Sequence, residues 1–266
     1  MFPTIEIGFF HLSIYDIAYS LAITVGCTFA FYSLLRRNLP VRLATHLVLL
    51  VLWVGIAGAF LGRDIVFLLL NFVLTGTLAW PGNGSAFMGA LAGAIGAMLF
   101  YCRRHALQLG QVLDTAGLSF PLGQAIGRLG CFAAGCCYGK ATESWLGMYL
   151  RDIHGIWMVR YPTQLLSSVA NLLIFLLLLG FERCRSPLLG KPDGWPFHGF
   201  IFLLYVDLYT LKRFSIEFLR GDSVPLIGPF SLAHLVCSLG FSVSTALMLW
   251  NLRSAAQHRS SAQRSP

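Results

Sequence analysis

Long apolar segments, separated by short polar or basic stretches, dominate the hydropathy pattern of this chain. Most are close to the roughly 20 residues that a helix needs to cross the hydrocarbon core of a bilayer. We predict seven membrane-spanning helices, at about residues 14–35, 43–69, 86–101, 112–132, 163–180, 198–219 and 230–252. The pattern therefore predicts an all-α, polytopic helix bundle that forms one domain over residues 1–252. The polar segment 253–266 is predicted to be a disordered cytoplasmic tail.

Basic residues lie at alternate ends of the predicted spans. The clusters are Arg36-Arg37, Arg103-Arg104, Arg183 to Lys191, and Arg253 to Arg264. Because cytoplasmic loops carry an excess of Lys and Arg, this arrangement predicts an N-out, C-in topology. The first charged residue is Glu6, so the N-terminus lacks the basic region of a cleavable signal peptide. We therefore expect the first span to remain as an anchor.

The amino-acid composition is typical of a membrane protein. Of the 266 residues, 56% are hydrophobic and 11% are charged, against about 25% charged residues in soluble domains. The net charge of +8 comes from basic clusters at the ends of the spans. There the basic side chains can contact anionic lipid headgroups, so the charge indicates a bilayer rather than nucleic acid as the partner.

The sixth predicted span carries polar and charged residues on one face. Tyr209, Arg213, Glu217 and Arg220 follow one another at spacings of four, four and three, which keeps them together at 3.6 residues per turn. A charge at the centre of a span costs about 2.5–3.5 kcal/mol on insertion scales, so such charges face the bundle interior. The pattern predicts either a functional interior or an Arg–Glu pair that only fixes helix packing.

Arg128 lies in a glycine-rich segment at the end of the fourth span, between Gly123 and Lys140. Glycines leave space around the guanidinium and allow the chain to leave the helix, which is tolerated at membrane depth beside a cavity. Since arginine binds phosphate bidentately, an anionic headgroup would suit this cavity. The alternative is an arginine whose side chain extends to the membrane interface.

Three cysteines in the same segment, Cys131, Cys136 and Cys137, raise the question of a metal. Their C-x4-C-C spacing lacks the C-x2-C pairs typical of zinc sites, and the nearest histidine in the following loop, His154, is distant. From the sequence we expect no metal and no cofactor, and we interpret the cysteines as small buried residues.

Three segments together resemble the prolipoprotein diacylglyceryl transferase family. Gly127–Gly139 (GRLGCFAAGCCYG) resembles its Gly-Arg signature, and Arg160–Leu165 (RYPTQL) resembles its Tyr/His-Pro-Ser/Thr-Gln-Leu segment. Tyr209–Asp222 resembles its Tyr-x3-Arg-Phe-x2-Glu-Phe-x-Arg segment. The likeness continues in the same order from about Ile7 to Leu252.

The resemblance implies seven helices and an enzyme at the outer leaflet of a bacterial inner membrane. Such an enzyme transfers diacylglyceryl from phosphatidylglycerol to the lipobox cysteine in a prolipoprotein signal peptide, releasing glycerol phosphate. Carried over by position, the catalytic residues would be Arg213, Tyr209 and Glu217. The substrate-binding residues would be Arg128, Gly139, Gln164 and Arg220, with Arg128 and Arg213 on the lipid phosphate.

The chain departs from the family pattern at four places. Met88 stands where the family has a histidine that could activate the thiol, and Ala134 replaces a common asparagine. Leu166-Ser167 replaces Tyr-Glu, and His234 stands where glutamine is frequent. These differences leave a second hypothesis open: a non-catalytic or altered-acceptor paralogue that binds phosphatidylglycerol in the same cavity. They also leave open whether Glu217, Tyr209 or the cationic surroundings supply the thiolate.

Overall fold

Helices account for most of the computed structural model, which describes residues 5–7, 10–75, 86–152, 155–185, 196–223 and 225–262. Its seven described helices are α1 (Ile14–Arg36), α2 (Val41–Thr75), α3 (Ala86–Arg104), α4 (Leu109–Ala134), α5 (Thr163–Arg185), α6 (Phe200–Glu217) and α7 (Leu232–Ala262). The prediction of a mainly helical chain is confirmed. Residues 80–85 (WPGNGS), whose proline and glycines predict a turn, lie outside the described residues, as do His154 and residues 186–195.

Three short antiparallel hairpins lie between or before the helices, so the expectation of an all-α chain needs correction. They are β1 (Ile5–Ile7) with β2 (Phe10–Leu12), β3 (Met148–Arg151) with β4 (Trp157–Arg160), and β5 (Pro225–Ile227) with β6 (Phe230–Ser231). The β3–β4 hairpin occupies the segment that we predicted as the loop between spans four and five. Its strands are too short for hydropathy alone to distinguish them from a loop.

α2 and α7 extend furthest beyond their predicted spans. α2 continues to Thr75, and α7 continues through the first part of the polar tail to Ala262. Serine, glutamine and arginine do not interrupt a helix as proline does, so a helix can continue beyond the apolar span into polar sequence. The apolar pattern predicted the membrane-spanning part of α7 but not its polar continuation.

Four of the described helices are long and apolar enough to cross a membrane. They are residues Ile14–Arg36, Val41–Leu61, Thr163–Arg183 and Leu232–Ala255. These correspond to the first, second, fifth and seventh predicted spans. α6 is too rich in charged residues to count as a candidate span, because it contains Asp207, Lys212, Arg213 and Glu217. The chain is therefore a helical membrane protein with four candidate spans and further helices of more polar composition.

Residues 30–112 form one compact unit, in which α2 and α3 pack closely through glycines. A Cβ at Gly58 would lie 2.4 Å from the carbonyl oxygen of Gly89, and one at Gly93 would lie 2.6 Å from that of Val54. Such small residues allow two helix backbones to approach in a membrane. Gly89 and Gly93 of α3 therefore lie where the two helices approach closely, whereas a Cβ at Gly96 would meet no described atom within 4 Å.

Residues 1–29 and 113–266 form the second unit, which contains the motifs singled out in the sequence. Its apolar core includes Leu118, Leu178 and Ile201, all fully buried. Asp114, also fully buried, accepts hydrogen bonds from the backbone N–H groups of Gly199, Ile201 and Phe202 at 2.8–3.2 Å. A carboxylate at this position satisfies the free donors at the start of α6, and so fixes the helix that carries the charged face.

Candidate functional site

The three sequence motifs meet through backbone hydrogen bonds. Gly139 forms an antiparallel bridge with Arg220, and the adjacent N–H of Lys140 donates to the carbonyl of Leu219 at 2.8 Å. From the other side, the N–H of Tyr161 donates to the carbonyl of Lys140 at 3.1 Å. The segment after α4 therefore lies between the segment before α5 and the end of α6.

Gly139 lies at a point where the backbones approach too closely for a side chain. A Cβ built on Gly139 would lie only 2.3 Å from the carbonyl oxygen of Tyr161. Gly221, in the neighbouring segment, is similarly constrained, because its Cβ would lie 2.9 Å from the carbonyl oxygen of Gly139. Gly139, predicted as a substrate-binding residue, thus has a clear structural role in joining the three segments.

The charged face of α6 is an interconnected set of ion pairs. Arg213 forms a salt bridge with Glu217, whose side chain is 4% exposed, and the hydroxyl of Ser231 donates to the other carboxylate oxygen at 2.9 Å. The helix ends at Glu217, yet Arg220 still places its Nε 3.9 Å from the same carboxylate. The predicted grouping of Arg213, Glu217 and Arg220 is therefore present.

Arg220 is itself held in a fixed orientation. Its Nε and Nη2 donate to the two carboxylate oxygens of Asp222 at 2.8 and 2.7 Å, which is a bidentate pair. Burial opposes the charge on Arg220, but the hydrogen bonds to Asp222 and the negative charges of neighbouring groups, Glu217 among them, together outweigh burial, so the pKa of the guanidinium is raised. Arg220 is consequently a permanent, oriented cation.

A small pocket lies beside these residues. Its lining consists of Arg128, Cys137, Thr163, Ser167, Arg213, Ile216 and Arg220. The pocket has a volume of about 10 Å³, room for about one water molecule, and is far smaller than the roughly 300–1,000 Å³ of sites for drug-sized ligands. Ser167 stands where the family pattern has glutamate, so this wall of the pocket carries no carboxylate at that position.

Four of the seven predicted site residues are not part of this lining: Glu217 and Gly139, described above, and Tyr209 and Gln164. The ring of Tyr209 lies under the Nζ of Lys212, 4.3 Å from the ring centroid, and packs on Tyr205. Gln164 is 2% exposed and donates from Nε2 to the carbonyl oxygen of Cys136 at 2.8 Å. Tyr209 therefore contacts the lysine, and Gln164 positions the cysteine segment, instead of lining the pocket.

Sequence reasoning assigned no role to three polar residues near the ion pairs: Lys212, Ser231 and His234. Lys212 donates to Oδ1 of Asn171 at 2.8 Å. The imidazole of His234 is 2% exposed, and its Nδ1 accepts the backbone N–H of Ser231 at 3.0 Å. Its Nε2 has no hydrogen-bond partner among the described residues, and the rings of Phe214, Phe218 and Phe230 surround it. The departure of His234 from the family pattern was the only sequence signal.

Three thiols come together at the end of α4. The sulfurs of Cys131, Cys136 and Cys137 all lie within 4.8 Å of one another. Hydrogen bonds from Cys131 and Cys136 lower the pKa of the Cys137 thiol, because they stabilise a thiolate there. The spacing of the cysteines did not predict this convergence. It depends on left-handed backbone conformations at Gly135 and Cys137.

The fold and this site define a class: a helical membrane protein with a small pocket whose lining includes three arginines. Comparison with known families is more specific. Residues 3–250 match the family model for prolipoprotein diacylglyceryl transferase. The chain belongs to that family, as the three motifs predicted.

Individual relatives agree with this assignment. The chain is 30% identical over 212 residues to the phosphatidylglycerol–prolipoprotein diacylglyceryl transferase of Clostridium tetani, covering 75% of this chain and 78% of the relative. It is 35% identical over 190 residues to the protein of that name from Symbiobacterium thermophilum, covering 69% of this chain and 66% of the relative. For the Dehalococcoides mccartyi protein of that name, the identity is 33% over 179 residues, or 67% of this chain and 65% of the relative.

Proposed function

We propose that this protein transfers diacylglyceryl from phosphatidylglycerol to the lipobox cysteine of prolipoproteins and releases glycerol phosphate. The observation that carries the proposal is the convergence of Arg128, Arg213 and Arg220 on one small pocket. Guanidinium groups recognise phosphate through paired N–H donors, and a dry site strengthens that interaction. Membership of the family and the names of its relatives give the reaction.

The excess of positive charge in the pocket would stabilise a phosphate leaving group. Two carboxylates, Glu217 and Asp222, pair with Arg213 and Arg220, so three guanidiniums outnumber the carboxylates paired with them. Negative charge develops on the phosphate oxygen as the glyceryl C–O bond breaks. Cations that are already oriented stabilise this charge without reorganisation, which is the usual source of the largest catalytic effect.

The remaining predicted residues have supporting roles in this proposal. Glu217 orients Arg213 through their salt bridge, and its two carboxylate oxygens are engaged by Arg213 and Ser231. Tyr209 keeps Lys212 next to the lipid site through its ring face. Gln164 and Gly139 hold the segment after α4 against α5 and α6, so that Arg128 and Cys137 face the pocket.

The proposed topology is a multi-pass protein of the bacterial inner membrane, with one domain, an outside N-terminus and an inside C-terminus. The basic clusters at 36–37, 103–104 and the C-terminal segment support that orientation through the positive-inside rule. Arg220 and the segment at 135–161 then lie at the outer face, where prolipoproteins would present their cysteine. Cysteine accessibility labelling from either side of the membrane tests this orientation.

Transfer is tested with purified protein, phosphatidylglycerol and a lipobox peptide, followed by mass spectrometry for a diacylglyceryl-cysteine product. Wild-type protein should form the product. Arg213→Ala should reduce the rate by about 10²–10³, as expected for the loss of one charge-stabilising group. The exposed Arg104→Ala is the matched control and should be unaffected. Wild-type turnover by Arg213→Ala contradicts the phosphate role.

Replacement of the family histidine by Met88 supports the second candidate, a paralogue that binds phosphatidylglycerol without this transfer. The same mixture distinguishes the two. Phosphatidylglycerol retained by the wild-type protein but lost from Arg213→Ala, with no modified peptide, favours the binding paralogue. Modified peptide excludes it.

A further inference from the structure

Three thiols lie together at the pocket, with Cys137 in its lining. Cys131 is in the last turns of α4, and α4 ends at Ala134. Gly135 then adopts a left-handed conformation with φ of 72°, and the N–H of Cys136 returns to the carbonyl of Cys131 at 3.2 Å. This helix-ending turn brings the fifth residue after Cys131 back beside it.

Cys137 joins the other two through an uncommon backbone conformation. Its φ is 57°, a left-handed value that a residue with a β-carbon rarely adopts and that persists only where the surroundings impose it. Here the hydroxyl of Thr163 donates to the carbonyl of Cys137 at 2.7 Å, and Gln164 donates to that of Cys136. Two α5 side chains thus hold adjacent cysteines in an arrangement in which both sulfurs reach Cys131.

The separation of the sulfurs fits a shared metal ion. With Zn–S bonds of about 2.3 Å, tetrahedral geometry puts thiolate sulfurs about 3.8 Å apart. All three sulfurs lie within 4.8 Å of one another, so a small contraction would bring them to a common ion. Among the described residues the group supplies three ligands, which leaves a fourth position open. Three protein ligands with an open position are typical of catalytic rather than structural zinc.

We propose that Cys131, Cys136 and Cys137 bind a thiophilic divalent cation of the zinc type, whose open position takes the acceptor cysteine thiol. The role of the ion in transfer rests on the proposed function, whereas the binding of the ion does not. Cys137 lines the pocket that also contains Arg128 and Arg220. Three thiolates and Zn²⁺ carry a net charge of about −1, which these guanidiniums would balance.

A bound zinc ion would supply the activation of the acceptor thiol that the family histidine could provide. Met88 stands where the family has its candidate thiol-activating histidine. The carboxylate of Glu217 is paired with Arg213 and lies close to Arg220. A thiol that binds zinc releases its proton to solvent and becomes a thiolate at neutral pH. That thiolate forms the S–C bond to the glyceryl carbon as the C–O bond to phosphate breaks. The electron pair remains on the phosphate oxygen, and glycerol phosphate leaves beside the arginines.

The test measures the metal independently of transfer. Full-length protein in detergent is analysed for zinc by mass spectrometry, and chelator-treated protein is titrated with Co²⁺, whose thiolate charge-transfer absorption reports sulfur ligands. We expect roughly one ion per chain and thiolate absorption in the wild type. Cys131→Ser and Cys137→Ser should lose both signals. Cys27→Ser removes a half-buried thiol elsewhere in α1 and should retain both.

Each outcome decides one part of the inference. Metal binding, with transfer lost on chelation and restored by Zn²⁺, supports both the site and its role. Metal binding without any transfer supports the site and counts against the proposed function. Full transfer by metal-free protein overturns the activating role, and a wild-type protein that binds neither Zn²⁺ nor Co²⁺ overturns the site. A Cys–Cys disulfide found by peptide mapping of freshly purified protein likewise overturns it.

The wild-type cobalt spectrum requires no variant, so the inference stays testable if the serine variants fail to fold. Thermal unfolding gives an independent measure, because an ion that binds only the folded state raises the melting temperature. We expect Zn²⁺ to raise the melting temperature of chelator-treated wild type and of Cys27→Ser, and to leave folded Cys137→Ser unchanged. Equal shifts in all three proteins would indicate binding elsewhere and contradict the site.

Discussion

Gln164 donates a hydrogen bond from its side-chain amide to the backbone carbonyl of Cys136, with an N–O distance of 2.8 Å. The two residues are 28 positions apart, and the bond joins the start of α5 to the turn after α4. Next to it, the Thr163 hydroxyl makes a comparable bond to Cys137. A glutamine expected at the edge of a substrate site therefore maintains the turn that forms one wall of the pocket.

The first prediction follows from this bond. Gln164→Glu replaces the donating amide with a carboxylate that repels the Cys136 carbonyl, and Gln164→Ala removes the donor. Both should lower the free energy of unfolding by about 1–3 kcal/mol, because a buried acceptor loses its partner. Thermal unfolding in detergent measures the change. The exposed Gln108→Ala serves as the control, and equal melting temperatures for Gln108→Ala and both Gln164 variants would refute the prediction.

The second prediction concerns Glu217. Glu217→Ala leaves Arg213 without its ion-pair partner and Ser231 without its acceptor. The loss of stability should be below the roughly 3–5 kcal/mol of a fully buried pair, because the Arg213 side chain is 18% exposed. Glu217→Gln retains an acceptor for Ser231 and should be destabilised less. Chemical or thermal unfolding ranks the three proteins, and a Gln variant less stable than the Ala variant contradicts the assigned contacts.

The third prediction compares two glycines. Gly139→Ala puts a methyl group against the Tyr161 carbonyl and should destabilise the protein by at least the roughly 1–3 kcal/mol typical of overpacking. Transfer should fall with it, since the three motifs separate there. Gly180→Ala, within α5, meets no described atom within 4 Å and should stabilise its helix by about 0.5–1 kcal/mol. Similar melting temperatures for the two variants would argue against the close approach at Gly139.

The fourth prediction concerns the start of α6. Asp114→Ala removes the acceptor of three backbone N–H groups and should cost about 1–2 kcal/mol or more, as for the loss of a strong helix cap. Asp114→Asn keeps an acceptor oxygen but loses the charge that favours a helix N-terminus, so its loss should be intermediate. Hydrogen exchange of the amides of Ile201 and Phe202 reports the effect locally. Unchanged protection of both amides in Asp114→Ala would show that the cap contributes nothing.

Patterns among residues close together in the sequence were sufficient to predict much of the architecture. Hydropathy predicted the spans that became α1, α2, α5 and α7, because each must cover a bilayer's thickness with apolar side chains. Helical periodicity predicted that Arg213 and Glu217 lie together, since residues four apart are neighbours on any α-helix. The glycine-rich setting of Arg128 indicated a cavity, and Arg128 lines the pocket. Each of these properties follows from neighbours within a few positions along the chain.

Tertiary structure decided the rest. Gln164 meets Cys136, and Gly139 pairs with Arg220, only because separate helices place those backbones side by side. The C-x4-C-C spacing argued against a metal site, yet left-handed conformations at Gly135 and Cys137 bring the three sulfurs together. Periodicity describes regular helices and strands, and these contacts arise where the chain leaves regular structure. The sequence by itself thus determined the membrane helices and the family, whereas long-range backbone contacts determined how the motifs form one site.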